Sequence, residues 1–196
     1  MRLIFVVLGI SSLLLGCAPA HQVVDQEGQT DTLLSTEFKQ EGQLTLFVAE
    51  QAVQTLVIEV ADDTPQIMQG LMYRDHLAED RGMLFIYPDS EPRQFWMKNT
   101  RISLDILYFD ANQRLLNIAQ HTEPFALTGI PASEGDAMYV LEINAGLSEK
   151  WGLLSNTDSS TSINQTGINQ ASINQTSINR TTTISSHPVR FEFTRQ

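Results

Sequence analysis

The stretch Gln94-Phe95-Trp96-Met97-Lys98-Asn99-Thr100-Arg101-Ile102-Ser103-Leu104-Asp105-Ile106-Leu107-Tyr108-Phe109 decides how this chain reads. Its two halves look like the arms of a β-hairpin turning at Arg101-Ile102. Those two residues suit a tight primed turn poorly, which points to a wider loop. In that register Lys98 faces Asp105 and Trp96 faces Leu107. Side chains alternate along a strand, so Asp105 shares a face with Leu107 and Phe109, while Leu104, Ile106 and Tyr108 occupy the other. Apolar residues on both faces describe a central strand. A carboxylate there is costly unless paired, and Lys98 is the partner this geometry offers. The pair serves either as an ion pair fixing register or as the floor of a binding site with Lys98, Asn99 and Thr100 at a strand end.

Outward from this ribbon, short runs rich in β-branched and aromatic residues predict strands at 44–48, 54–61, 83–87, 94–99, 104–109, 115–119, 138–144 and 189–193. One helix is signalled by Thr64 as cap, Pro65 in the first turn and an apolar stripe of Ile67, Met68, Leu71 and Met72. Gly70 inside it suggests close packing. A second short helix is expected at 147–151. The predicted fold class is mostly β (α+β): a small antiparallel barrel-like or sandwich sheet with one or two short helices.

Two further charged residues stand out. Glu142 lies in an apolar strand with Val140 and Asn144 on its face, and Arg74 follows the first helix. Asp105 and Glu142 together are the residue types of a two-carboxylate acid/base site. Arg74 could neutralise one of them or bind an anion. Other catalytic signatures are missing from the sequence. The four histidines, His21, His76, His121 and His187, have no metal-ligand spacing, and there is neither a Gly-x-Ser-x-Gly elbow nor a phosphate-cradling loop. No cofactor and no metal site is expected.

The 196 residues suffice for one ordinary domain. Lys and Arg number 12 against 23 Asp and Glu, a net charge of −11, which argues against a nucleic-acid partner. The single cysteine, Cys17, closes an uncharged apolar run at 3–15 behind Arg2. That run is short of the about 20 residues a membrane span needs, and it fits a signal peptide. Leu14-Leu15-Gly16-Cys17 resembles the lipobox of bacterial lipoproteins, which implies cleavage after residue 16 and acylation of Cys17. Ala18 in the following position implies outer-membrane sorting, facing the periplasm, in a Gram-negative host. Residues 17–42 are acidic and read as a tether, with a weak helix signal at 33–39. Residues 155–186 carry a five-residue repeat, with isoleucine at 163, 168, 173 and 178, and read as a disordered insertion into a domain spanning 43–196.

Gly70-Leu71-Met72-Tyr73-Arg74, Gly82-Met83-Leu84-Phe85, Trp96-Met97-Lys98-Asn99-Thr100, Leu104-Asp105, Pro124, Val140-Leu141-Glu142, Ala145-Gly146 and Trp151-Gly152 occur in an order that resembles the domain of unknown function (DUF) 192 family. The resemblance implies a small, largely β domain, often secreted or lipid-anchored. It implies no established activity and transfers no catalytic residue. The chain departs from the family before its last strand, where a usually short turn is replaced by the repeat insertion and His187-Pro188.

These readings converge on a non-enzymatic envelope lipoprotein. Its β domain would bind a ligand through Arg74, Lys98, Asn99, Thr100, Asp105 and Glu142. Membrane lipid is the expected partner of acylated Cys17, and an envelope glycan or protein that of the domain. The rival is a glycan-type hydrolase using Asp105 and Glu142, and a third reading is an assembly factor acting through its acidic surface.

Overall fold

The computed structural model describes residues 22–24, 30–32, 35–155, 183–184 and 187–196. The chain divides into two units, Met1–Ser35 and Thr36–Gln196. In the first, β1 (Gln22–Val24) pairs antiparallel with β2 (Thr30–Thr32). The segment read as a plain tether thus contains a hairpin, and residues 35–39 form no helix. The predicted signal peptide and Cys17 lie outside the described residues.

The second unit contains β3 (Gly42–Val48), β4 (Gln51–Ala61), α1 (Thr64–Gln69), β5 (Arg81–Glu91), β6 (Leu104–Phe109), β7 (Leu115–Thr122), β8 (Ala137–Asn144), α2 (Leu147–Lys150), β9 (Leu154–Ser155), β10 (Thr183–Ile184) and β11 (Val189–Arg195). Seven strands form one sheet in the order β11-β3-β4-β5-β8-β6-β7. All its pairs are antiparallel except β4–β5, which is parallel and joined through α1, as a parallel pair requires a crossover. The predicted mostly β class is therefore the observed one, with that single parallel exception. The unit begins before residue 43: Glu41 Oε2 accepts a hydrogen bond from Val60 N at 2.8 Å, and Phe38 packs against the sheet. β9 and β10 pair at the two ends of the insertion. Its repeats lie outside the described residues.

The sheet curls until its outer strands meet. Arg114 bridges Arg190, and Phe191 N donates to Gln113 O at 3.2 Å. Phe191 of β11 meets Phe109 of β6 and Tyr139 of β8 edge-on, at 4.9 and 5.3 Å between ring centroids. Strands this far apart in sheet order touch only across the inside of a curl. The inner face is thus the one bearing Leu44, Leu56, Ile58, Leu84, Leu107, Leu141 and Ile143. The outer face bears Ala61, Met83, Phe85, Ile106, Tyr108 and Val140, and it too is buried. Every residue of β6 is buried, as the both-faces-apolar pattern of 104–109 predicts.

Residues 94–99 are not a strand, and the predicted hairpin does not exist. β6 has both its edges filled, by β7 on one side and β8 on the other. The segment instead lies over the outer face. Met97 is fully buried there and its N–H donates to Ala126 O at 2.7 Å. Asn99 then reverses the chain with φ +56°. The helix is also capped differently from expectation. Asp63, not Thr64, is the N-cap: it accepts from Gln66 N, and Gln66 reaches back in a capping box. The helix stops at Gly70, whose φ of 49° and ψ of −135° are open to glycine alone. A side chain there would also stand 3.2 Å from the Phe85 ring. The expected stripe is correspondingly cut short: Leu71 is buried, while Met68 is 58% exposed.

Candidate functional site

The register of the sheet places four outer-face residues in one row: Glu59 on β4, Met83 on β5, Glu142 on β8 and Ile106 on β6. Two glutamates thus share a face, two strand spacings or about 10 Å apart at the backbone. Arg74, brought over them by the turn after Gly70, donates from Nη2 to Glu59 Oε1 at 2.8 Å. All three residues are buried. Glu59 Oε2, Arg74 Nε and Glu142 Oε2 have no hydrogen-bond partner among the described residues. Burial pushes the Glu142 carboxyl up to about 8, against a smaller pull downward from Arg74. Its proton therefore stays on at neutral pH. The two tyrosines electrostatically coupled to it are raised as well, chiefly by burial: Tyr87 to about 12, and Tyr108, whose hydroxyl donates to Pro131 O at 3.0 Å, above its ordinary value.

Asp105 belongs to the other side of the sheet. It pairs with Ile143 where Glu142 pairs with Ile106, and Leu107 and Ile143 are inner-face residues. It is fully buried and forms no ion pair among the described residues. Oδ1 accepts from His121 N at 2.9 Å. Oδ2 accepts from Gly146 N at 2.9 Å, Ser148 N at 3.1 Å and Ser148 Oγ at 2.6 Å. The carboxylate thus satisfies the first amides of α2 and ties that helix to β6 and β7. Lys98 is exposed, with its ammonium 5.4 Å from the centre of the Trp96 ring. The expected Lys98–Asp105 pair is absent because the two residues are held by different layers. The expected Asp105–Glu142 acid/base pair is absent because the sheet separates them.

The other predicted residues are structural. Asn99 Nδ2 donates to Tyr73 Oη at 2.6 Å, and Tyr73 N donates to Asn99 O at 2.8 Å. This locks the Tyr73-Arg74 turn onto the Lys98-Asn99-Thr100 turn. Thr100 is buried, and its carbonyl accepts from Phe125 N at 3.2 Å. The six predicted residues therefore do not form one surface. Arg74 and Glu142 come together, Asn99 and Thr100 hold the turn beside them, and Lys98 and Asp105 stand apart.

The open part of this face is a groove of about 410 Å³ lined by Ile67 and Met68 of α1, Tyr87 of β5, Gln94, Phe95 and Trp96 of the overlying segment, and Leu127. Trp96 is 43% exposed at its edge. Phe95 anchors the floor edge-on against Phe85 and Tyr108, at 5.1 and 6.0 Å between ring centroids. Sequence reasoning missed Glu59, although Val57-Ile58-Glu59-Val60-Ala61 shows the same signal that singled out Glu142: a carboxylate inside an apolar strand. The groove residues Met68, Tyr87, Gln94 and Leu127 gave no such signal.

A curled seven-stranded sheet with a turn-locked, aromatic outer face defines a small β-domain. Residues 45–159, more than half of the chain, match the model of DUF192, described as an uncharacterized ACR, and the chain belongs to this family. No curated protein matches it. Two solved structures are similar. One, from Sinorhizobium meliloti 1021, is assigned provisionally as a transcription regulator; it is 35% identical, with a TM-score of 0.54 over 57% of this chain and 86% of that one. The other is a protein of unknown function from Novosphingobium aromaticivorans DSM 12444. It is 29% identical, with a TM-score of 0.52 over 68% of this chain and 88% of that one.

Proposed function

We propose that this protein is a binding module for small amphiphilic anions, held at the cell envelope by a lipid on Cys17. The observation that carries the reading is the groove with Trp96 at its edge and Lys98 beside it. Its walls are hydrocarbon and aromatic, with the Gln94 amide and the Tyr87 hydroxyl as the polar groups. Its volume falls within the range of small-ligand sites. The Lys98 ammonium forms no ion pair among the described residues, and at the rim it can meet an acidic group on a ligand whose apolar body stacks on the ring. An apolar, acidic peptide end of an envelope protein or glycan has this chemistry. A net charge of −11 makes a nucleic acid the poorer partner here. The buried Glu59–Arg74–Glu142 cluster lines no part of this groove.

The probe for this reading is 8-anilinonaphthalene-1-sulfonate, an aromatic anion. The native full-length protein is expected to bind it saturably, and Trp96→Ala and Lys98→Glu are each expected to weaken binding about tenfold while leaving the melting temperature and far-ultraviolet circular dichroism unchanged. Binding of the probe by both variants at wild-type strength would overturn the groove as the site.

The anchor is tested separately. Expressed in a Gram-negative host, the mature chain is expected to carry acyl groups on Cys17 by intact-mass measurement and to sediment with membranes, whereas Cys17→Ser is expected to lack them. Among the described residues no helix is long and apolar enough to cross a membrane.

A further inference from the structure

A second concavity, of about 440 Å³, lies between the entry segment Thr36, Glu37 and Phe38 and the α1–β5 connection, where Arg74, His76, Leu77, Ala78 and Arg81 line it. It is independent of the aromatic groove. In a chain with nearly twice as many acidic as basic residues, this pocket gathers two guanidiniums and an imidazole against one carboxylate.

The arginines Arg93, Arg101, Arg190 and Arg195 are each bound to surface carboxylates, and Lys150 is bound to Glu79. Arg81 forms no ion pair among the described residues. It is held instead over the Phe38 ring, 4.5 Å from the centroid. Stacking fixes the plane of a guanidinium while leaving its N–H edge uncommitted. Across the pocket Arg74 is 5% exposed, gives Nη2 to Glu59 and keeps Nε without a partner. One positioned guanidinium with an uncommitted edge, Arg81, set beside the ion-paired Arg74 and the apolar side chains of Leu77 and Ala78, describes the recognition of a planar oxyanion on a short hydrocarbon body.

We infer that the pocket lined by Arg74, His76 and Arg81 is a binding site for a small organic carboxylate. Glu59 already neutralises Arg74 and Glu37 also lines the pocket, so Arg81 is left to meet the ligand and the smallest anionic charge fits best. A doubly charged phosphate would face the Glu37 carboxylate with more charge than the site can balance.

The test titrates the full chain with sodium isobutyrate, sodium phosphate or sodium chloride at constant ionic strength, following the arginine Nε–H signals in ¹H–¹⁵N spectra. Isobutyrate is expected to shift the Arg74 and Arg81 signals along a saturating curve that chloride does not reproduce. Arg81→Gln, which keeps most of the side-chain length and removes the charge, is expected to weaken binding about tenfold as read on Arg74, with an unchanged melting temperature. Glu37→Gln is expected to strengthen it. A linear response, an equal response to chloride, unaltered affinity in Arg81→Gln, or saturation by phosphate but not by isobutyrate would each overturn the assignment. The groove variant Trp96→Ala is expected to leave this titration unchanged, which keeps the two sites separable.

Discussion

Asp105→Ala is expected to destabilise the domain by about 4 kcal/mol or more, a large share of the roughly 5–15 kcal/mol that holds a domain together. The carboxylate is fully buried and accepts three backbone N–H groups and one hydroxyl. Removing it leaves those donors without partners inside the protein, and α2 loses its attachment to β6. Asp105→Asn is expected to destabilise as well, though less, because its amide N–H groups meet backbone N–H donors where one carboxylate oxygen stood. Lys98→Ala is the control. Its ammonium is exposed and touches the Trp96 ring, so the change is expected to stay within about 0.5 kcal/mol. Urea unfolding followed by circular dichroism measures all three. A Lys98→Ala variant as unstable as Asp105→Ala would show that the two residues do form a pair.

The second large effect is on pH dependence. Glu142 is held neutral by burial, with its folded-state pKa near 8 against an ordinary carboxylate value when unfolded. Between those values the native state binds a proton that the unfolded state has released. Stability from this group is therefore fully present below the unfolded value and is lost as pH rises through about 8. The shift corresponds to a change of about 5 kcal/mol at its upper bound. Arg74, Tyr87 and Tyr108 are the charged or titratable groups coupled to it, and neither tyrosine ionises in this window. Glu142→Gln substitutes a permanently neutral group of the same shape. It is expected to remove this part of the decline, leaving the variant more stable than the wild type above pH 8 and no more stable below pH 5. Unfolding free energies measured across that range decide the matter, since an unchanged slope in Glu142→Gln would place the titration elsewhere.

The strands were legible because their signal is local. A run such as Leu104-Asp105-Ile106-Leu107-Tyr108-Phe109 has apolar residues on both faces, and only a doubly covered strand can bury both. The family was legible for a related reason, since its motifs occur in short runs. Those runs mark the turns that lock together, Tyr73-Arg74 against Asn99-Thr100. The cap of α1 was misplaced by one residue because Asp63 and Thr64 both suit that role by type, and only backbone geometry distinguishes them. The site was misread for a deeper reason. Proximity along the chain suggested that Lys98 meets Asp105. In the fold β8 takes the place beside β6, and the tryptophan-bearing segment is left to cover the sheet's outer face.

The sequence by itself determined the seven strands of the main sheet, the family and the charge, because each follows from residue type and short-range order. Only the tertiary structure decided which carboxylates keep company. Strand pairing sets which residues share a face, and it joins segments far apart in the chain. It placed Asp105 under the amides of α2 and set Glu59, Arg74 and Glu142 together on the opposite side.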